Sequence, residues 1–249
     1  IIIWDNLNEN SLLSLILSAS DVDEDPLTYT AGSGNNAVAT ITDNILEVIP
    51  NNNFNGDIEV TVFVSDGELN NLQTFTLTVL PTNDAPEIFE VPSDFIINED
   101  TSLEIALFGN DIDGDELTFS ATADANSTAS INGNMLTLTP NIDFNGTLST
   151  QVSVSDGELS DTTSFILTVQ AVNDAPVLDV IEDQAINEDT SLTLTLSATD
   201  IDNDPLIYTA ETNDNATLTI TDTQLIVEPI PNFNGQIPVT VFVSDGILN

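Results

Sequence analysis

An acidic run of alternating aspartates, Asp21-Val22-Asp23-Glu24-Asp25, returns as Asp111-Ile112-Asp113-Gly114-Asp115 and again as Asp200-Ile201-Asp202-Asn203-Asp204, with successive copies starting 90 and 89 residues apart. In a chain of 249 residues that period means nearly three copies of one unit, each the size of a small β-sandwich. If a run is extended, alternate residues share one face and its three carboxylates point to the same side. Two unit charges about 4 Å apart cost roughly 4 kcal/mol at an effective dielectric near 20, so each run requires full exposure or a cation. Oxygen-only ligands select hard cations, calcium ahead of magnesium. A polar loop would account for one copy; recurrence at a fixed phase favours the cation.

Charge narrows the partners further. The chain has 42 Asp and Glu, no Lys, no Arg and no His, for a formal net charge of −42. Nucleic acid is excluded as a direct partner, because its affinity comes from cationic side chains displacing counterions. An anionic membrane surface would repel the chain, and no span is present for direct membrane insertion. Partners are therefore cationic, neutral or metal-bridged. Hydrophobic residues make up 41% of the chain, enough for a core in each unit, so the acidity belongs to folded domains and not to a disordered tail. Cysteine is absent, which leaves metal as the available staple. Ile1-Ile2-Ile3-Trp4 opens without an initiator Met and Asn249 falls partway through a repeat, so a longer parent chain is expected.

The middle repeat serves as template. After Asn83-Asp84-Ala85-Pro86, an extended stretch is expected from Glu87 through Ile97, then a turn at Asn98-Glu99-Asp100-Thr101. Strands are expected at Ser102–Leu107, Leu117–Ser120, near Ala129–Ile131, Met135–Thr139, Ser149–Val154 and Ser164–Val169. Phe119 matches Tyr29 and Tyr208 in the other copies, and its alternation with Thr and Ser marks it as a core residue. Asp143-Phe144-Asn145-Gly146 recurs as Asn53-Phe54-Asn55-Gly56 and Asn232-Phe233-Asn234-Gly235, a turn whose Phe caps the core. About seven strands and no helix give an all-β chain of tandem, immunoglobulin-like β-sandwiches. The third copy lacks a counterpart to Phe165–Val169, so either the chain continues or a neighbouring molecule donates that strand.

Taken in order, Asn83-Asp84-Ala85-Pro86, Asn98-Glu99-Asp100, Asp111-Ile112-Asp113, Phe144-Asn145-Gly146 and Ser155-Asp156-Gly157 resemble the cadherin-like tandem repeats of very large bacterial surface proteins, over the whole chain. The resemblance implies extracellular sandwiches strung end to end as cadherin-like repeats at residues 1–82, 83–172 and 173–249, with Ca2+ clamped at each junction. It implies that the first junction draws on Glu9, Asn83, Asp84, Asp111, Asp113 and Asp156. The second would use Glu99, Asn173, Asp174, Asp200, Asp202 and Asp245, while Asp21, Asp23 and Asp66 would serve a preceding unit. One or two ions per junction are expected, because the further acidic motif of animal cadherins is replaced here by Phe-Asn-Gly. Asn10 stands where the other copies have Asp100 and Asp189, which argues against an obligatory charged ligand at that position.

Two other chemistries for these carboxylates fit less well. An EF-hand needs Gly at its sixth position and Glu at its twelfth; the runs hold Pro26, Glu116 or Pro205 and Gly32, Thr122 or Glu211. A glycosidase could work with two carboxylates alone, but a catalytic pair is not expected in three copies at turns, so no enzyme activity is expected. The leading expectation is a non-catalytic, calcium-stiffened stalk segment of a bacterial surface protein that serves attachment, with adjacent repeats of the same chain as its partners. The alternatives are a self-assembling fibre subunit that pairs with copies of itself, and a spacer or sugar-binding module of a secreted carbohydrate-active enzyme. Asn126, Asn145 and Asn215 lie in glycan-acceptor patterns that arise by chance in so Asn- and Thr-rich a chain.

Overall fold

The structure, a computed structural model, describes residues 6–249, and every regular element among them is a β-strand. Anything of the first repeat's opening strand before Asn6 lies outside the described residues. The described chain falls into two compact units. One comprises the residues up to Val91 with Leu107–Ser120 and Val152–Thr163; the other comprises Pro92–Ala106, Ala121–Gln151 and Ser164–Asn249. Each unit therefore contains one Asn-Asp-Ala-Pro linker with residues from both repeats that flank it.

In the first unit, Leu7–Asn8, Asn70–Leu80, Gly56–Ser65 and Thr28–Gly32 form a four-stranded sheet in that order, and Leu13–Ile16, Ile45–Pro50 and Ala37–Thr42 form a three-stranded one. Period-two patterning decides which side chains go inside. Along Ile45–Pro50, Leu46 and Val48 are buried while Glu47 and Ile49 face out. Leu46, Val48, Ile58, Val60, Leu77 and Val79 make the core, with half-buried Phe54 packed against it. Leu7–Asn8 pairs parallel to the last strand, Leu7 opposite Val79, and so fixes the residue that follows, Glu9.

The expected stretch from Glu87 to Ile97 is two strands, Glu87–Phe89 and Asp94–Asn98. Glu90 has φ 58°, a left-handed conformation that no continuous strand accommodates. The first piece pairs with Phe108–Asn110 in the first unit, where Phe89 and Phe108 stack at 6.3 Å. The second runs parallel to Ile166–Gln170 in the second unit, with Ile97 opposite Val169, and thereby places Glu99. The middle repeat thus has nine strands instead of seven, since Leu103–Ala106 and Phe108–Asn110 are also separate.

The second unit also carries the third repeat. Leu192–Thr195, Gln224–Pro229 and Ala216–Thr221 form a three-stranded sheet, and Ile207–Thr212 pairs with Val239–Ser244. Leu196, Leu225 and Val227 are its buried core, and Tyr208 packs on them as the alternation with Thr implies.

Candidate metal centre

The acidic runs are turns, not extended strands. Asp111 Oδ1 accepts the backbone N–H groups of Asp113 (2.9 Å), Gly114 (3.0 Å) and Asp115 (3.2 Å), which folds the run around its first carboxylate. Gly114 takes φ 81° to allow it, and Glu24 and Asn203 at the same position take 64°. One carboxylate oxygen each from Asp111, Asp113 and Asp115 still lies within 4.8 Å of the others, as do those of Asp200, Asp202 and Asp204. The shared side is produced by the turn and not by strand alternation. Asp21 Oδ1 accepts from Asp23 (2.8 Å) and Asp25 (3.2 Å) in the same way.

In the first unit the linker folds onto this turn. Glu9, 4% exposed, follows the parallel strand, and its Oε1 accepts the Thr82 N–H at 2.5 Å. Asp84 donates its backbone N–H to Asp113 Oδ2 (2.8 Å). Asn83 Nδ2 donates to Asp156 Oδ2 (2.9 Å), while Asp156 Oδ1 takes the N–H groups of Glu158 and Leu159, both at 2.7 Å. Glu9, Asp84 and Asp113 each bring a carboxylate oxygen within 4.8 Å of the other two. All six residues expected at this junction are in one place.

The second unit repeats the plan. Glu99, also 4% exposed, accepts the Val172 N–H (2.5 Å); Asp174 donates its backbone N–H to Asp202 (2.9 Å); and Asn173 Nδ2 donates to Asp245 (2.6 Å). Asp245 Oδ1 in turn takes two backbone N–H groups, from Ile247 and Leu248. Asp66 Oδ1 likewise accepts from Glu68 and Leu69, but Asp21, Asp23 and Asp66 form no cluster with a linker carboxylate among the described residues.

The electrostatics separate two kinds of aspartate. Backbone N–H donors from Leu159 and Glu158, then the Asn83 amide, hold the Asp156 carboxyl below its usual range. The Leu69 and Glu68 amides do the same for Asp66, and the Asn173 side chain with the Leu248 amide for Asp245. These carboxylates are held in the charged form by their donors. Asp84 is the opposite case: burial, then the charges of Asp113, Glu9 and Asp111, push its carboxyl up. Asp174 is pushed up by burial and then by Asp143, Asp100, Asp202 and Glu99. Glu9 Oε2, Asp84 Oδ2, Asp111 Oδ2, Asp174 Oδ2 and Asp200 Oδ2 are buried with no hydrogen-bond partner. A buried carboxylate oxygen without a donor is costly unless an ion supplies the missing charge. Oxygen donors only, several of them anionic, fit calcium; the chain has no His or Cys to favour a softer metal.

Two participants were not anticipated. Asp100 and Asp143 join Asp174 in a further group with oxygens within 4.8 Å of one another. Asp100 also has a structural job. Its Oδ1 accepts the Asp143 N–H (3.1 Å), as Asn10 Oδ1 accepts the Asn53 N–H (3.0 Å) and Asp189 Oδ1 the Asn232 N–H (2.8 Å). This bond ties the Phe-Asn-Gly turn to the preceding turn in every repeat, and an acceptor oxygen is all it needs, which is why Asn serves at position 10. The sequence signal for this further acidic group is the joint change of Asn10 and Asn53 to Asp100 and Asp143 one period later.

Paired sheets in tandem, with acidic linkers between them, define a chain of immunoglobulin-like β-sandwich repeats. The chain belongs to the bacterial Ig domain family, whose model matches residues 3–79 and 83–169; a cadherin-like domain model matches residues 172–249. Chitinase A of Pseudoalteromonas piscicida is 30% identical over 178 residues, covering 70% of this chain and 22% of that protein. The chain thus spans about a fifth of the length of the curated relative it matches. Among solved structures, Drosophila N-cadherin EC1-4 is similar at TM-score 0.41 and 15% identity, covering 96% of this chain and 70% of that one. An endo-fucoidan hydrolase of glycoside hydrolase family 107 gives TM-score 0.35 and 20% identity, with 98% and 41% coverage. Among the described residues no helix is long and apolar enough to cross a membrane.

Proposed function

We propose that this segment is a non-catalytic extracellular spacer whose successive β-sandwiches, bounded at residues 1–82, 83–172 and 173–249, are stiffened by calcium at their linkers. The observation that carries the reading is Glu9 Oε2: a carboxylate oxygen on a residue 4% exposed, without a donor, within a cluster completed by Asp84 and Asp113. Glu9 belongs to one repeat, Asp84 to the linker and Asp113 to the next repeat, so an ion held by these oxygens would join all three. With the oxygens unneutralised, like charges push the linker away from both neighbours; with calcium bound, the same charges hold it. Extracellular modules of this chemistry bind at about 10⁻⁴ to 10⁻³ M, which suits calcium outside a cell. Small-angle scattering in millimolar calcium and in chelator tests the proposal. Calcium should narrow the distribution of maximum dimensions, and an unchanged profile would contradict it.

Two parent contexts suit such a spacer. One is the stalk of a bacterial surface protein that serves attachment. The relationship to a chitinase favours the other, in which the segment sets the reach of a catalytic domain in a secreted carbohydrate-active enzyme. Binding of the isolated chain to insoluble chitin would make it a sugar-binding module; recovery in the supernatant would keep it a spacer.

A further inference from the structure

The short two-stranded sheet of the middle repeat carries a pair of aromatic side chains where the other repeats have polar ones. In the pairing of Glu87–Phe89 with Phe108–Asn110, Phe89 stands opposite Phe108 and Glu87 opposite Asn110, and all four residues are exposed. The two rings are 39% and 45% exposed, with centroids 6.3 Å apart and planes inclined by 25°. Behind them the sheet is held firmly. Ile88 is buried and donates its N–H to Asp161 Oδ2 (3.0 Å), and Gly109 packs so closely that a Cβ there would lie 3.0 Å from the Val154 side chain and 3.2 Å from that of Leu117. The fold does not require the aromatic pair. In the third repeat the same register brings Val177 opposite Thr199, and the next pair is Asp179 and Ser197, joined by the Asp179 N–H to the Ser197 carbonyl (2.9 Å). The first repeat has Ser18 at the position of Phe108. Two phenyl rings kept in water on a rigid support, where a polar pair would fold as well, mark a contact surface.

We propose that Phe89, Phe108, Glu87 and Asn110 form a binding subsite for an uncharged polysaccharide. A pyranose ring with equatorial hydroxyls offers a flat C–H face that packs on aromatic rings, and a rim of hydroxyls that needs hydrogen-bond partners. Glu87 and Asn110 stand two residues along the strands from the rings, roughly 7 Å, within reach of the hydroxyls of a sugar stacked there. The carboxylate accepts from a hydroxyl, and the carboxamide both donates and accepts. Charge selects among sugars. With 42 acidic side chains and no Lys, Arg or His, the chain repels uronate and sulfated glycans, so a neutral glycan is the one its surface admits. The subsite lies within one repeat and uses no linker carboxylate. It therefore adds a property to the calcium-stiffened spacer and stands or falls independently of that reading.

Native electrophoresis of the full chain tests this in gels cast with hydroxyethyl cellulose, glycol chitin or polygalacturonate, in chelator so that no metal bridges chain and polymer. The parent should be retarded by at least one of the two neutral polymers and not by polygalacturonate. F89S/F108S, which brings in the serine found at positions 18 and 197, should weaken that retardation about tenfold in dissociation constant. N110A keeps the rings and the net charge and should weaken it about three- to tenfold. Circular dichroism in the same buffer verifies the fold of each variant. A parent that runs freely through both neutral polymers, or a folded F89S/F108S retarded as strongly as the parent, overturns the subsite and leaves the spacer reading standing. If F89S/F108S unfolds, N110A decides: retardation equal to the parent's overturns the subsite, and a weakened one supports it.

Discussion

Replacing Glu9 by Gln should stabilise the chain without calcium and destabilise it with calcium. The side chain is 4% exposed, its Oε1 holds the Thr82 N–H, its Oε2 is buried with no donor, and its carboxylate groups with those of Asp84 and Asp113. Glutamine has the same shape, keeps an acceptor for Thr82, and turns an NH₂ toward two carboxylates. In chelator that removes repulsion and adds a hydrogen bond, so the melting temperature should rise. In calcium a ligand is lost. A site with a dissociation constant of about 10⁻⁴ to 10⁻³ M at 10 mM calcium contributes about 1.4 to 2.7 kcal/mol by mass action. For a domain of this size that corresponds to roughly 6 to 20 °C in melting temperature, and the variant should forfeit it at the first linker. Differential scanning calorimetry of E9Q and parent, each in chelator and in calcium, reads all four states. If E9Q melts lower in both conditions, with the calcium increment intact, Glu9 is a structural residue and the reasoning fails.

Further outcomes follow from the same geometry. Thr150 is fully buried with an unpartnered Oγ1 at a position where the first repeat has Val60, so T150V should stabilise by about 1 to 2 kcal/mol in chemical denaturation. Gly146 has φ 137°, and an added Cβ would lie 3.3 Å from the Phe144 ring, so G146A should cost about 1 to 3 kcal/mol on the same assay. The raised carboxyls of Asp84 and Asp174 give a pH signature. In chelator their contribution is complete below the ordinary value of 3.8 and is lost as pH rises through their higher folded values, whereas Asp66, Asp156 and Asp245 contribute above 3.8 and lose it as pH falls through their lower ones. Melting of the metal-free parent against D84N/D174N between pH 3 and 6 should therefore show the parent losing ground as pH rises; parallel curves would contradict the assignment.

The repeat phase made most of the fold legible, because strands such as Leu13–Ile16, Ala37–Thr42 and Ile45–Pro50 of the first repeat have period-two patterning and recur one period later. The breaks were not legible where a single residue decides them. Glu90 gives no compositional sign of its left-handed backbone, yet it divides one expected strand into two. Alternation in the acidic runs fits an extended strand, but the deciding feature is the Asx-type bonding of Asp111 Oδ1, for which Gly114 is the one hint in the sequence. The ligand assignments drawn from the family resemblance are brought together at both linkers, including the burial of Glu9 and Glu99, which nothing in their local sequence requires. Asp100 reads as dispensable because position 10 holds Asn, and Asp143 because it sits in the turn that replaces the further acidic motif of animal cadherins, yet the fold brings both beside Asp174.

In the proposed spacer, carboxylate oxygens from one repeat, the linker and the next repeat share a divalent ion. Anomalous diffraction from crystals grown in millimolar calcium, or soaked with terbium, tests it most directly. Peaks should lie among Glu9, Asp84 and Asp113 and among the equivalent second-linker residues. Maps without peaks there, with those side chains turned into solvent, would contradict the claim.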